Sequence, residues 1–366
     1  MTPEPATKTH APAAAAEPIL RLASVSKRFE SFQAVDNIDL EVRDGEFLTI
    51  VGPSGSGKTT LLRMLAGMER LSGGEIILRG RNINDLPPSR RPTCLVFQSL
   101  ALFPHRTVGQ NIEFPLKMKG VAPAIRKARA LELMRTMRLP EAYYGKNVMK
   151  CSGGEKQRVA LARAFAYDPE ILFFDEPLAA LDYKLKKALE KELKDIHKES
   201  GKTFIYITHS LEEAMVMSDR IGVMHAGRLV QIGTPEDIYS RPVDKFVAEF
   251  MGEVNVFPVR RGAGGRYDLR DGTGSVSVAG NPTAAEAFII VRPEFLRVVG
   301  SRGEAENVIE GLLYNQYSLG SRMQYRVRVG GQVLIVEQSR ARPEAARIDE
   351  KILVGWDARD AIMVES

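Results

Sequence analysis

Five short, mostly apolar runs punctuate the first two thirds of the chain: Phe47–Val51, Thr93–Phe97, Ile171–Phe174, Thr203–Ile207 and Arg220–Met224. Runs this short, with little polar alternation, read as strands buried on both faces, as in a parallel sheet. Helical spacing fills the gaps. Thr60–Ala66 places Leu61, Leu62 and Leu65 on one side, and Val159–Tyr167 has a similar texture. Strand and helix patterns in alternation predict an α/β sheet domain. Between Ala122 and Arg138 the pattern stays helical and is rich in Arg, Lys, Leu and Met, which predicts an all-helical insertion in that domain.

Arg241-Pro242 marks a boundary, followed by the helical-looking Val243–Met251. Beyond Gly252 the texture changes to short strand-like runs, Phe288–Val291, Met323–Val329, Val333–Glu337 and Ile352–Gly355, broken by Gly-Gly and Asp-Gly turns. That predicts a small all-β domain of barrel type. Met1 to about Glu17 is rich in Ala, Pro and Thr without apolar period, which predicts a disordered tail. The expected division is a tail over 1–18, an α/β domain over 19–240 with a helical subdomain over about 98–158, a linker over 241–252, and an all-β domain over 253–366. No repeat of solenoid period is present.

Composition narrows the class only modestly. The 366 residues are enough for two or three domains, and 44% hydrophobic with 27% charged residues is ordinary for a globular protein. A net charge of +5 permits contact with anionic surfaces without demanding it. No window approaches the roughly 18 uncharged apolar residues of a membrane span. Two cysteines, Cys94 and Cys151, argue against a disulfide framework and fit a reducing compartment. With no basic-then-apolar leader, a cytoplasmic location is expected.

Candidate chemistry begins at Gly52-Pro53-Ser54-Gly55-Ser56-Gly57-Lys58-Thr59-Thr60. This fits the phosphate-loop pattern, with Gly52, Gly57, Lys58 and Thr59 in its fixed places. Glycines let backbone N–H groups curl around an anion, and the helix that follows points its positive end at the same anion. Lys58 can reach the β- and γ-phosphates, and the Thr59 hydroxyl can ligate Mg²⁺. The flanks, a strand before and a helix after, are what the motif requires.

Two further motifs follow. The apolar Ile171–Phe174 run ends in Asp175 and Glu176, which delivers two acids to the strand end where α/β folds bind ligands. Asp175 would hold Mg²⁺, and Glu176 would act as general base on the attacking water. Ser152-Gly153-Gly154-Glu155 fits a helix capping box, but paired glycines are more than a cap needs and expose a second anion-binding helix start.

With these motifs in hand, the chain resembles the ATP-binding subunit of an ABC transporter. Ser152-Gly153-Gly154 is similar to the signature loop of that family, and Gln98, after Leu95-Val96-Phe97, resembles the Q-loop glutamine. Ala180-Leu181-Asp182 resembles the D-loop, and Thr208-His209 the switch histidine. Phe29 sits where the family stacks an aromatic on adenine. The likeness covers nearly all of residues 20–250. It implies a P-loop NTPase fold of ABC ATPase type, ATP and Mg²⁺ as cofactors, Glu176, His209 and Gln98 as catalytic residues, and Mg²⁺ held by Thr59, Gln98 and Asp175. It implies a head-to-tail homodimer in which Ser152, Gly153, Gly154 and Glu155 act in trans. It also implies two transmembrane permease subunits gripped by the Gln98–Leu139 segment, a solute-binding protein acting indirectly, and a peripheral place on the cytoplasmic face of the inner membrane.

Departures from the family pattern are Cys151 for Leu, Glu155 for Gln, Ser210 for Asp, and Ala179-Ala180 at the start of the D-loop. None removes a group that contacts phosphate or metal.

The C-terminal third resembles the OB-like (TOBE) regulatory domain of importer ATPases, through Gly252-Glu253-Val254-Asn255, Val291-Arg292-Pro293-Glu294 and Gly355-Trp356-Asp357. With no aromatic stacking ladder, nucleic acid is not an expected partner. The junction after Gly252 and the ending Val354–Ala361 look most like the spermidine and putrescine import subgroup, with ferric iron, phosphonate and other importers as alternatives. On the residues alone, Trp356 fills a core and Gly355 makes a bend. A soluble ABC ATPase of another kind would carry two cassettes or a long coiled-coil insert, and this chain has neither.

Overall fold

The computed structural model describes residues 17–179, 181–280, 283–340 and 347–364. The expected tail, 1–18, lies outside these except for its last two residues, and Ala180 of the expected D-loop lies outside them as well. The chain divides into two units, Met1–Leu229 and Val230–Ser366.

The first unit opens with β1 (Leu20–Phe29) and β2 (Phe32–Val42), then β3 (Phe47–Val51), α1 (Lys58–Leu65), β4 (Gly73–Leu78), β5 (Arg81–Asn82) and β6 (Thr93–Val96). Three helices follow, α2 (Val108–Met118), α3 (Pro123–Thr136) and α4 (Gly153–Ala166). The remainder alternates: β7 (Ile171–Asp175), α5 (Tyr183–Ser200), β8 (Thr203–Ile207), α6 (Leu211–Met217) and β9 (Arg220–His225), and β10 (Arg228–Gly233) begins in this unit and runs past its end.

The five expected apolar runs, with β10 added at one edge, form one sheet in the order β10-β9-β3-β8-β7-β6. β3 pairs in parallel with β8 and β9, and β7 with β6 and β8. Every residue of β3 and β8 is buried, because layers cover both faces. Period two then sorts side chains between two cores. Phe47, Leu172, Phe174, Phe204 and Tyr206 pack toward the helical insertion and α5. Leu48, Ile50, Ile171, Phe173, Ile205 and Ile207 pack toward α1 and a second sheet, β2-β1-β4-β5. That antiparallel sheet had no counterpart among the expected elements. Its strands alternate buried and exposed positions, a half-polar texture that reads less clearly than an unbroken apolar run.

In the second unit, α7 (Pro235–Ser240) and α8 (Lys245–Phe250) precede β11 (Asn255–Arg261), β12 (Tyr267–Leu269), β13 (Ser275–Val276), β14 (Glu286–Val291) and β15 (Arg297–Val299). β16 (Asn307–Ser318), β17 (Arg322–Val329), β18 (Gln332–Ser339), β19 (Lys351–Trp356) and β20 (Ala361–Val364) complete it. They form two five-stranded sheets, β13-β12-β11-β14-β20 and β15-β19-β16-β17-β18, around a common apolar core. Trp356 fills that core, fully buried and stacked on Phe257 at 5.1 Å. Gly355 makes no bend. It lies inside β19, opposite Arg297 and Val308, and a Cβ there would come within 2.8 Å of the Ala305 Cβ. The glycine is a close approach between neighbours.

Candidate functional site

The Gly52–Thr60 loop leaves the C-terminal end of β3 and enters α1 at Gly57. Gly57 holds φ +101°, and a Cβ on it would lie 2.2 Å from the Ala34 carbonyl oxygen; one on Gly52 would lie 2.1 Å from that of Met224. Only glycine fits either position, so the loop can close tightly enough for its amides to converge. The Lys58 ammonium, largely buried, turns back onto the Gly52 and Pro53 carbonyls at 2.8 and 2.9 Å and the Ser56 hydroxyl at 3.4 Å. Burial lowers its pKa, against the raising influence of Glu176 and Asp175. A buried cation resting on neutral oxygens is matched to an anion in the loop.

β7 delivers its acids beside that loop. The Thr59 hydroxyl donates to Asp175 Oδ1 at 3.2 Å. Burial raises the Asp175 pKa and nearby Glu176 adds to the effect, while the Thr59 bond opposes it. A cation here would relieve that penalty. One carboxylate and one hydroxyl, completed by phosphate oxygens, suit Mg²⁺, which rarely takes an all-protein cage. Among the described residues no cluster of three or more His, Cys, Asp or Glu offers such a cage. The residues therefore fit MgATP.

Glu176 follows at φ +47°, a left-handed conformation that costs a non-glycine residue about 1–2 kcal/mol. Its amide donates to the Ile207 carbonyl at 3.0 Å, tying the acid to the end of β8. His209, two residues beyond β8, brings Nδ1 to 3.1 Å from Glu176 Oε2. Lys58, Thr59, Asp175, Glu176 and His209 thus form one cluster at the strand ends.

The remaining expected residues stand elsewhere. Ser152 caps α4: its hydroxyl accepts from the Glu155 amide at 3.3 Å, and Glu155 Oε2 accepts from the Ser152 amide at 2.8 Å. That amide bond, with Lys146 assisting, holds the Glu155 carboxyl below its ordinary value. Glutamate at this position thus completes the capping box as a charged acceptor. Gly153 and Gly154 face Leu181 and Leu185, where added Cβ atoms would lie 3.6 and 3.0 Å from those side chains. Asp182 caps α5 through the Leu185 amide at 3.0 Å. Gln98 is exposed just past β6. Phe29 ends β1, 43% exposed, with the Lys27 ammonium 4.6 Å from its ring centre.

Sequence reasoning passed over two supporting residues, one behind Phe29 and one behind the end of β8. Lys27 is held by Glu69 at 2.6 Å and the Arg70 carbonyl at 2.9 Å, so it backs Phe29 from a fixed position. Glu213, 2% exposed, takes Lys186 of α5 at 2.5 Å and Tyr206 of β8 at 2.7 Å, which joins the helix after Asp182 to the helix after His209. Neither carries a local signal, since each depends on partners distant in sequence.

Comparisons with known proteins give the family. Residues 35–179 match the ABC transporter family, and residues 289–364 the TOBE domain. A spermidine/putrescine import ATP-binding protein PotA from Mesorhizobium japonicum is 41% identical over 94% of this chain and 97% of its own length. Proteins of the same name from Roseobacter denitrificans and Thermotoga maritima are 45% and 38% identical, over 85% and 93% of this chain and 87% and 96% of their own lengths. Among solved structures, an ATP-binding cassette dimer in a post-hydrolysis state with ADP and Pi is 32% identical. It has a TM-score of 0.52 and covers 59% of this chain and 98% of its own. CbiO1 from Clostridium perfringens, part of an ABC transporter complex, is 27% identical with a TM-score of 0.56, covering 61% of this chain and 91% of its own. The chain belongs to the family of ATP-hydrolysing, ATP-binding proteins of ABC importers that carry a C-terminal TOBE domain.

Proposed function

We propose that this chain energises the import of polyamines, spermidine or putrescine, from the cytoplasmic face of the inner membrane. Two copies would work with two transmembrane permease subunits, fed indirectly by a solute-binding protein. The observation that carries the hydrolytic part is the cluster in which Thr59 meets Asp175, Glu176 meets His209, and Lys58 rests on the glycine cradle within electrostatic reach of both acids. The solute assignment is supported by relatives named for spermidine and putrescine import over nearly the whole chain.

In this reading Lys58 exchanges its carbonyl partners for β- and γ-phosphate oxygens, and Phe29 stacks on adenine. Thr59 and Asp175, joined by Gln98 from beyond β6, would hold magnesium, which would neutralise charge on the phosphate oxygens. Glu176 accepts the proton of the attacking water as its oxygen bonds to the γ-phosphorus and the bond to the ADP oxygen breaks. His209, on the same carboxylate, orients it. The Ser152-Gly153-Gly154 loop of a second copy adds amide donors to the γ-phosphate, so the pair closes on ATP and parts after hydrolysis. The test is uptake of labelled spermidine, putrescine and ferric iron in cells with and without this chain. Loss of polyamine uptake alone is expected. Intact polyamine uptake, with loss of another solute's and no redundant polyamine system, would refute the assignment.

A further inference from the structure

We infer that Arg163 is a positioning residue that sets the Gln98 loop and ties it, through α4, to the Ser152-Gly153-Gly154 loop. The functional half of this rests on the reading of Gln98 as a contact to the nucleotide site. Just after Gln98, Leu100 and Ala101 hold φ +60° and +47°, two successive non-glycine residues in the left-handed region. At roughly 1–2 kcal/mol each, such a pair persists only where surrounding contacts over-determine it. Arg163 supplies them. Its two terminal nitrogens donate to the Leu100 and Ala101 carbonyls, at 2.7 Å each. The guanidinium also lies 5.7 Å from the Phe103 ring centre. Among the described residues no carboxylate pairs with Arg163, so its planar fork is committed to these carbonyls. A lysine carries its donors on a single nitrogen and lacks the planar fork that offers a separate nitrogen to each carbonyl.

The rest of the loop is pinned as well. The Leu100 amide donates to the Phe97 carbonyl at 2.8 Å. Fully buried Asn111 of α2 accepts from the Phe103 amide at 2.8 Å and donates to its carbonyl at 3.2 Å. Gln98 and Ser99 are left exposed at the tip of a rigid stem. Arg163 lies ten residues along α4 from Gly153, a rise of about 15 Å. One helix therefore begins at the loop expected to meet a partner's ATP and holds, near its other end, the loop expected to meet its own. Displacing one end of α4 carries the other.

The test uses the full chain with Arg163→Met, Arg163→Lys, Gln98→Ala and the double variant R163M/Q98A. Hydrogen exchange without nucleotide reads the clamp directly. Arg163→Met should speed exchange at the Leu100 to Phe103 amides about tenfold or more, while β3 amides stay slow. At saturating ATP its turnover should fall about 10–100-fold with a weakened Mg²⁺ dependence, as when a group orienting a metal ligand is lost. Its KM for ATP should change less than about twofold, because the Lys58 cradle is untouched. Arg163→Lys should fall between, and the double variant should be no slower than Gln98→Ala. Unchanged exchange at Leu100–Phe103 in Arg163→Met overturns the clamp. Multiplied losses in the double variant overturn action through Gln98. Normal turnover and Mg²⁺ dependence in Gln98→Ala overturn the reading of Gln98 instead.

Discussion

At the scale of single residues, charge placement sets the chemistry. Glu176 is held at the end of β7 by a backbone bond to β8 and shares its carboxylate with His209, and in the proposed reading it accepts a proton from the attacking water. Glu176→Gln keeps the shape and removes the base. Hydrolysis should fall about 10²–10⁴-fold while ATP binding persists. Near-normal turnover of the purified variant would remove Glu176 from its role. In the proposed reading Lys58 acts earlier, in binding. Its ammonium rests on carbonyls that a phosphate would outcompete. Lys58→Ala should weaken ATP binding by about 1.5–3 kcal/mol, the worth of a hydrogen bond to a charged group. Calorimetry showing unchanged affinity would contradict that.

At the scale of elements, legibility followed the locality of the signal. The five central strands were readable because burial on both faces leaves nearly unbroken apolar runs. The phosphate loop was readable because glycines at fixed spacing serve one backbone shape. The sheet β2-β1-β4-β5 was not, since its strands alternate and its partners are set by tertiary contact. Gly355 was misjudged for a similar reason: the neighbour that requires glycine, Ala305, is fifty residues away. The supports Lys27, Glu213 and Arg163 are ordinary residues in ordinary patterns until the fold brings their partners to them. His197 of α5 is another. It lies between Phe47 and Phe204, at 5.2 and 4.9 Å, with Nε2 buried and without a hydrogen-bond partner. Burial lowers its pKa from 6.5. The unfolded chain then binds the proton more readily, so His197 should erode stability as pH falls through about 6.5 and below, and cost nothing above it. Between pH 7.5 and 5.5, His197→Phe should lose less melting temperature than the parent. Equal losses would show that this group does not contribute.

At the scale of the whole molecule, the account needs two copies. In the proposed reading Lys58 and the Ser152-Gly153-Gly154 loop both meet ATP; Lys58 rests on its own loop's carbonyls, and Ser152 is engaged with Glu155 of its own helix. In that reading a head-to-tail pair would bring each loop to the partner's cradle and would make hydrolysis a property of the pair. The most direct measurement mixes two inactive chains, one carrying Ser152→Arg and the other Lys58→Ala. In the mixed dimer both lesions fall in one composite site and the other is intact. The account predicts that the mixture regains ATP hydrolysis that neither chain has alone. A mixture as inactive as its parents, with both chains folded and shown to exchange partners, would contradict it.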